Sequence, residues 1–440
     1  MDRLVWLGDP GSNYATVVCR AEITGVLTAV CNGATFTGDT ITSSMDGIGK
    51  VTISGLTAGA EYEALVYVGG VYVDTVYPRT IPDTGLIRIA QYSCINQEMR
   101  QNGLMRMMAM QPHLVLEVGD TPYADNGPAD GSSKTVWGVP ITSCDYDTSE
   151  ANYIAQFRAY MSNPDTIELH RRCPIYRKAN DHEIGNNWDH TEAQCNDNSK
   201  GVITKCGLTP NTPAEVFARA MVANDAYAYG NPTISPRYFS KVLGPVEVFV
   251  TDDITDKDPI IQADDANKRM LGATQESWLL AGLLACKVAG RHAIISCGYS
   301  TATAGSYHAD AWASYQTQLA RIKQYIIDNA IPCFWIAGDH HNSKVIHTAS
   351  PWHFEVLACG IGGGLQDDGV GYLGDRVWKS SGYSGLPAAG RRAFCLIEVD
   401  QDASKIYPKV IDEFGNEIWG NGTYIAIGSN QVTYPQQRFG

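Results

Sequence analysis

The 440-residue chain has no run of about 18 apolar residues, so no helical membrane span is expected. Positive charge is scarce: 33 Lys and Arg against 47 Asp and Glu leave a formal charge of −14. That balance disfavours nucleic-acid backbones and anionic lipid surfaces as partners, because both are themselves negative. The 12 cysteines show neither CxxC nor Cys/His spacing, which excludes the common structural zinc sites. There is no low-complexity tract and no repeat at a fixed period, which sets aside solenoids and arrays. The opening stretch "MDRLVWLGDPGSNYATVVCR" lacks the charged-then-apolar layout of a signal peptide.

What is present is an ordinary globular composition. An apolar fraction of 44% over this length can bury a large core and suggests more than one domain. Cys286, Cys297, Cys333, Cys359 and Cys395 lie in apolar stretches and read as small core hydrophobes. Cys195 and Cys206 bracket the polar stretch "CNDNSKGVITKC", and Cys144 lies in another loop, so disulfides are open to all three.

Residues 1–83 read as a small antiparallel β-sandwich: "ATVVCRAEI", "GVLTAVC", "GKVTISGL" and "YEALVYVGGVYVDTVY" are rich in β-branched and aromatic residues between Gly, Asp and Asn turns. The segment "RTIPDTG" at 79–85 supplies the Pro/Gly punctuation of a boundary. From residue 84 to 440 the pattern becomes α/β. "LIRIAQY", "HLVLEV", "VEVFV", "HAIIS" and "PCFWIA" alternate with "NQEMRQNGLMRMMAM", "TQESWLLAGLLACKV" and "ASYQTQLARIKQYIIDN", which argues for a largely parallel sheet covered by helices. The methionines of "MRMMAM" read as core packing. From about Arg391, "AFCLIEVD" and "KIYPKVID" return to strand, so sheet is expected on both flanks of the core.

Ligands in open α/β folds sit beyond the carboxyl ends of the strands. Past those ends lie Cys94; then "GDTPYAD" with Asp120 and Tyr123; "NDHE" with Asn180, Asp181 and His182; Asp252 with Asp253; and "GDHH" with Asp339, His340 and His341. Taken singly, each has a bland explanation, such as a turn-forming or N-capping Asp, a core Cys, a packed Tyr or a hydrogen-bonded loop His. Their coincidence at one rim is what points to chemistry. Gathered carboxylates repel one another, and a stable fold needs cations between them. Two metals about 3.5–4 Å apart form a clamp for phosphoryl chemistry, which makes phosphoester hydrolysis the leading expectation.

The set "QYSC", "PHLVLEVGDTPY", "NDHE" and "AGDHHNS" resembles the PhoD-like metallophosphatases, alkaline phosphatases or phosphodiesterases with a calcineurin-like core. "LGDPGSNYATVVCR" with "DGIGKVTISGLTAGAEYEALV" is similar to that family's N-terminal fibronectin III-like sandwich, and "LGATQESWLLAGL" with "DAWASY" to its helical connecting region. The resemblance implies Fe3+ held by Cys94, Asp120, Tyr123 and His341, and Ca2+ held by Asp120, Asp181 and Asp339. It implies that His182 stands beside the phosphate, either stabilising the transition state or protonating the departing alkoxide. The implied reaction is in-line attack on phosphorus by a metal-activated hydroxide, with a phosphate ester as substrate and Cys94 as ligand, not nucleophile. If the backbone of "GDHH" stays extended, Asp339 and His341 face the metals and His340 faces away. His340, Asn342, Asn180, Asn186, Asn187 and Asp252 are then weaker candidates for substrate contact or for support of the ligands.

Two departures stand out. The family's Trp-Asp-Asp-His-Glu run is here Ala179-Asn180-Asp181-His182-Glu183, and an arginine expected shortly after the Asp aligned with Asp252 is replaced by Ile254. A missing cation weakens the grip on a dianionic monoester and tilts the expectation toward diesters unless Lys257 compensates. The long loops at 121–150 and 186–213 have the length of binding-site or lid segments, whereas "GIGGG" at 360–364 lacks the following helix of a phosphate-binding loop. The competing expectation is a noncatalytic binding or assembly protein on the same fold.

Overall fold

The computed structural model describes residues 3–125, 131–144, 147–191, 212–302, 310–341, 343–348, 353–357, 376–379 and 392–434. Strands come first: β1 (Arg3–Pro10), β2 (Tyr14–Ala21), β3 (Gly25–Cys31), β4 (Ala34–Ile41), β5 (Ile48–Ser54), β6 (Ala64–Val68) and β7 (Val71–Val76). They form two antiparallel sheets, β1-β2-β5 and β4-β3-β6-β7, that close on Val17, Leu27, Val51, Ile53, Val66 and Val68. The alternating burial of β6 is the two-residue period expected of a half-covered strand.

The core follows with β8 (Leu86–Tyr92), α1 (Asn102–Ala109), β9 (Leu114–Glu117), the short hairpin β10 (Lys134–Val136) and β11 (Val139–Ile141), α2 (Glu150–Met161), α3 (Pro164–Arg172) and β12 (Ile175–Arg177). Next come α4 (Pro213–Tyr227), β13 (Phe239–Leu243), β14 (Val246–Val250), α5 (Ala273–Val288), β15 (His292–Ser296), α6 (Gln316–Asp328) and β16 (Cys333–Ala337). The remaining strands are β17 (Lys344–Thr348), β18 (His353–Leu357), β19 (Arg376–Lys379), β20 (Ala393–Asp400), β21 (Lys405–Asp412), β22 (Glu417–Trp419), β23 (Tyr424–Ala426) and β24 (Val432–Thr433).

One sheet runs β12-β9-β8-β20-β21-β23-β24, with β22 beside β21, and the other runs β13-β14-β15-β16-β18-β17-β19. Only part of each is parallel, β12-β9-β8 at one end of the first and β14-β15-β16-β18 within the second. The expected largely parallel sheet is therefore two mixed sheets. Hairpins at the flanks need no crossover helix, so the strands they add run antiparallel.

The sheets face each other across Ile89, Leu116, Val248, Ile294, Phe334, Ile336 and Ile397. Residues one step along the same strands, such as Ala90, Val115, Ile295 and Trp335, point the other way and pack under helices. Burial on both faces is why these strands read as continuous apolar runs. The helices missed in the sequence, α2, α3 and α4, carry strong N-terminal signals. Asn163 caps α3, whose first residue is Pro164, and Thr212 with Glu215 forms a reciprocal capping box on α4. Among the described residues no helix is long and apolar enough to cross a membrane.

The N-terminal sandwich does not hang free. Leu4, Trp6, Val18 and Ile48 on its outer face join the helix-side core, where Trp6 stacks on Tyr227 and Tyr227 on Phe157. A side chain on Gly8 would meet the Gly230 carbonyl oxygen at 2.6 Å, and Asp9 accepts hydrogen bonds from Tyr14, Tyr176 and Lys241. Cys144 is buried; the proposed Cys195–Cys206 pairing, Cys359, Asn342 and "GIGGG" lie outside the described residues.

A buried ion pair ties the first sheet together just beneath its carboxyl-end rim. Glu117 at the end of β9 accepts two hydrogen bonds from the Arg177 guanidinium on β12, one from Tyr92 Oη on β8 at 2.6 Å, one from Tyr160 Oη on α2 at 2.8 Å and one from Thr121 Oγ1 at 2.7 Å. Burial pushes the Glu117 carboxyl up, but Arg177 outweighs it and holds the group below its ordinary range. Glu117→Ala strands a buried guanidinium and should cost about 3–5 kcal/mol in urea unfolding, whereas Glu117→Leu with Arg177→Met should cost less. Equal losses in the two proteins would show that packing, not charge pairing, carries the site.

Candidate metal centre

The strand ends deliver their side chains through turns, not through extended backbone. Cys94, Asp120, Asp339 and His341 have φ of 60°, 57°, 76° and 48°. This left-handed region costs a non-glycine residue about 1–3 kcal/mol and persists where surrounding structure enforces it. It also overturns the alternation expected for "GDHH": β16 ends at Ala337, and Asp339 and His341 converge because each sits in its own left-handed turn. Gly119, with φ of 100°, lets the β9 turn lie against Asn180, where a Cβ would come within 2.3 Å of the Asn180 side chain.

Three donor groups result among the described residues, each with ligand atoms within 4.8 Å of one another: Cys94, Asp120 and His341; Asp120, Asp181 and His182; Asp181, Asp310 and Asp339. Asp120 is common to the first two and Asp181 to the last two, so the groups form one row. Tyr123 joins the first group, its Oη 2.6 Å from His341 Nε2 and 3.5 Å from Asp120 Oδ2. Cys94 Sγ lies 3.2 Å from Asp120 Oδ2, and Asn180 Nδ2 donates to Asp120 Oδ1 at 3.2 Å. His182 bonds Asp125 through Nδ1 at 2.8 Å, leaving Nε2 4.0 Å from Asp181 Oδ2.

Burial and like charge act together here. The carboxyls of Asp120 and Asp339 are pushed well above their ordinary range, first by burial and then by Cys94 and neighbouring aspartates. Burial and the Asp181 charge, against the opposing pull of Lys257, push Asp310 up to about 6. Burial, then Cys94 and Asp120, raise the Tyr123 phenol. Among the described residues, buried Asp181 Oδ1 has no hydrogen-bond partner, nor does Asn180 Oδ1. A row of buried carboxylates with orphaned oxygens, a thiol and a phenol fits bound cations, which would supply the missing charge.

Three residues of this neighbourhood escaped the sequence reading. Asp310 stands in "DAWASY", far along the chain from the end of β15, where a rule based on strand ends does not look. Asp125 follows Tyr123 in the same motif and orients His182. Glu183 accepts backbone hydrogen bonds from Asp120, Thr121 and Asn180 and so clamps the β9 and β12 turns together. The weaker candidates divide. Asn180 reaches Asp120, and His340 is buried with Nε2 3.7 Å from Asp339 Oδ2. Asn186 is half-buried beside Asn187, whose backbone donates to Asp181 Oδ2. Asp252 instead caps its own turn, accepting from the Ile254 and Thr255 backbone, and Asp253 pairs with buried Lys178 at 2.6 Å.

Because the folded pKa of Asp310 lies above the unfolded value, its contribution to metal-free stability is present below about pH 4 and lost as pH rises through about 6. Asp310→Asn should therefore stabilise chelator-treated protein increasingly over that window, by about 3 kcal/mol near pH 7. Urea unfolding at several pH values checks this; a difference independent of pH would contradict it.

A family model for PhoD-like phosphatases matches residues 89–356. No curated protein matches the chain. A solved structure described as the structure of PhoD superposes with a TM-score of 0.70 at 16% identity, covering 94% of this chain and 91% of that one, which shows a shared fold. A dimetal phosphatase from Danio rerio gives a TM-score of 0.42 at 10% identity over 75% of this chain and 97% of that one, too weak a likeness to argue from. The family match covers more than half of the chain and encloses the whole donor row from Cys94 to His341, so the chain belongs to the PhoD-like phosphatases and is a metal-dependent phosphoester hydrolase.

Proposed function

We propose that the donor row is the catalytic centre and that it holds two kinds of cation. The observation that carries this reading is the sharing of Asp120 and Asp181 between adjacent donor groups. At one end, Cys94, Tyr123 and His341 add thiolate, phenolate and imidazole to Asp120, a set suited to ferric iron. At the other, Asp181, Asp310 and Asp339 offer carboxylate oxygens alone, a set suited to calcium. When bound, such cations lower the pKa of water and neutralise charge on the phosphoryl oxygens.

The chain's own residues set the geometry. Asp120 and Asp181 fix the spacing along the row, and Glu183 holds their turns in register through the backbone. Asp125 engages His182 at Nδ1, which leaves Nε2 facing the row to donate a proton to the departing alkoxide. The Tyr123 ring packs 4.2 Å from the imidazole and limits its tilt. Cys94, against the Asp120 carboxylate and hydrogen-bonded to His341, serves as a ligand.

Native protein should contain iron and calcium and show a visible charge-transfer band that Tyr123→Phe removes. Asp120→Asn should abolish hydrolysis of p-nitrophenyl phosphate esters, and His182→Ala should lower kcat by about 10²–10⁴ with metal content intact. Elemental analysis, absorption spectra and ester kinetics provide the check. Protein that takes up neither metal, or Asp120→Asn with full activity, would refute the assignment.

A further inference from the structure

Gln97 follows Cys94 in the stretch "CINQ" and is fully buried, as is Gln156 on α2. The segment that carries it runs beside the turn after β9. Cys94 N–H donates to the Gly119 carbonyl at 3.3 Å, and Ile95 N–H to the Asp120 carbonyl at 3.0 Å. Farther along, a side chain continues what the backbone began. Gln97 Oε1 accepts from Tyr123 N–H at 3.2 Å, and Gln97 Nε2 donates to the Tyr123 carbonyl at 3.0 Å. One carboxamide thus spans both backbone groups of a single donor residue. Its orientation follows from its partners, because an N–H needs an acceptor and a C=O needs a donor.

The carboxamide is itself held. Nε2 also donates to Gln156 Oε1 at 2.9 Å, while Gln156 Nε2 donates to the Thr142 carbonyl at 2.7 Å and to the Ala124 carbonyl at 3.3 Å. Trp137 Nε1, in the turn of the β10–β11 hairpin, donates to the Gln97 carbonyl at 2.6 Å. Just past Tyr123, Ala124 N–H donates to the His182 carbonyl at 3.0 Å. The Tyr123 backbone is therefore fixed between the Cys94 segment, α2 and the His182 turn. Its phenol stands at the far end of a long side chain, so a small backbone rotation carries Oη away from His341 and the ring away from His182. Donor atoms must be held to within about 0.5 Å, and hydrogen bonds behind them do the holding. We infer that Gln97 is a positioning residue for the Cys94 end of the row: it ties Tyr123 to the segment bearing Cys94 and sets where the phenol meets the other donors. It acts through Tyr123, and its role rests on the proposed iron site.

Gln97→Met keeps the side-chain length and removes both bonds to Tyr123. Gln101→Met is the control for general loosening: it removes a buried carboxamide from the same segment, where Nε2 donates to the Asn96 and Met99 carbonyls at 2.8 and 3.0 Å. Wild type and both variants are titrated with ferric iron in the presence of calcium, with iron uptake read by elemental analysis and the phenolate-to-iron band by absorption. Amide exchange of the peptide containing Tyr123 and Ala124 is followed by mass spectrometry on chelator-treated protein. Gln97→Met should bind iron about tenfold to a hundredfold more weakly and, once loaded, show a shifted or weakened band, whereas Gln101→Met stays near wild type in both. Exchange at Tyr123 should rise in Gln97→Met and not in the control. Gln97→Asn, which keeps the carboxamide but shortens its reach, carries the test if the Met variant fails to fold. Unchanged iron affinity and band in Gln97→Met, or equal changes in the two variants, would overturn the inference. Wild type that takes up no iron, or takes it up without the band, would instead overturn the iron site; exchange at Tyr123 then still decides whether Gln97 holds that backbone.

Discussion

Asp120, Asp181, Asp310 and Asp339 are buried or nearly so in one row, with adjacent members close enough to share an ion, and carboxylates placed that way repel. The repulsion is the constraint around which the rest is arranged. Left to itself the row would open or protonate; in the proposed reading, bound cations hold it closed. Cys94, Asp120, Asp339 and His341 hold left-handed backbone there, a conformation that persists only where the surrounding structure enforces it.

What keeps the row from opening is the floor beneath it. The Glu117–Arg177 pair joins β9 to β12 and takes in Tyr92 of β8, so the three strands that deliver Cys94, Asp120 and Asp181 meet at one charge-neutral knot. Lys178 with Asp253 does the same between β12 and β14, across the two sheets. The sandwich adds rigidity from outside, through Trp6, Tyr227 and Phe157, to the helices that back the first sheet. Positional freedom at the rim is thereby removed before any ligand binds, which is the condition for electrostatic stabilisation of a transition state without reorganisation.

The row is also graded along its length. Thiol, phenol and imidazole gather at the Cys94 end, while carboxylates alone occupy the Asp310 end. His182, steadied by Asp125, stands between. In the proposed reading, such a gradient lets different cations sit side by side and places a proton donor at the middle of the row.

Much of this could be read in the residues. The core strands, the two later helices and the candidate donors Cys94, Asp120, Tyr123, Asp181, Asp339 and His341 all lie in local patterns: apolar runs of strand length, followed closely by Asp, Cys, Tyr or His. Three features had no local signature. That the central runs belong to two mixed sheets depends on pairings such as β20 with β8, far apart in sequence. That Asp310 joins the row, and that Glu183 and Asp125 hold it, follows from loops whose paths nothing in their composition dictates. The sequence by itself determined which residues could bind metal, because donor chemistry and strand periodicity are properties of the chain. Only the tertiary structure decided which of them meet, because convergence depends on left-handed turns, buried ion pairs and sheet packing that act between segments distant in the chain.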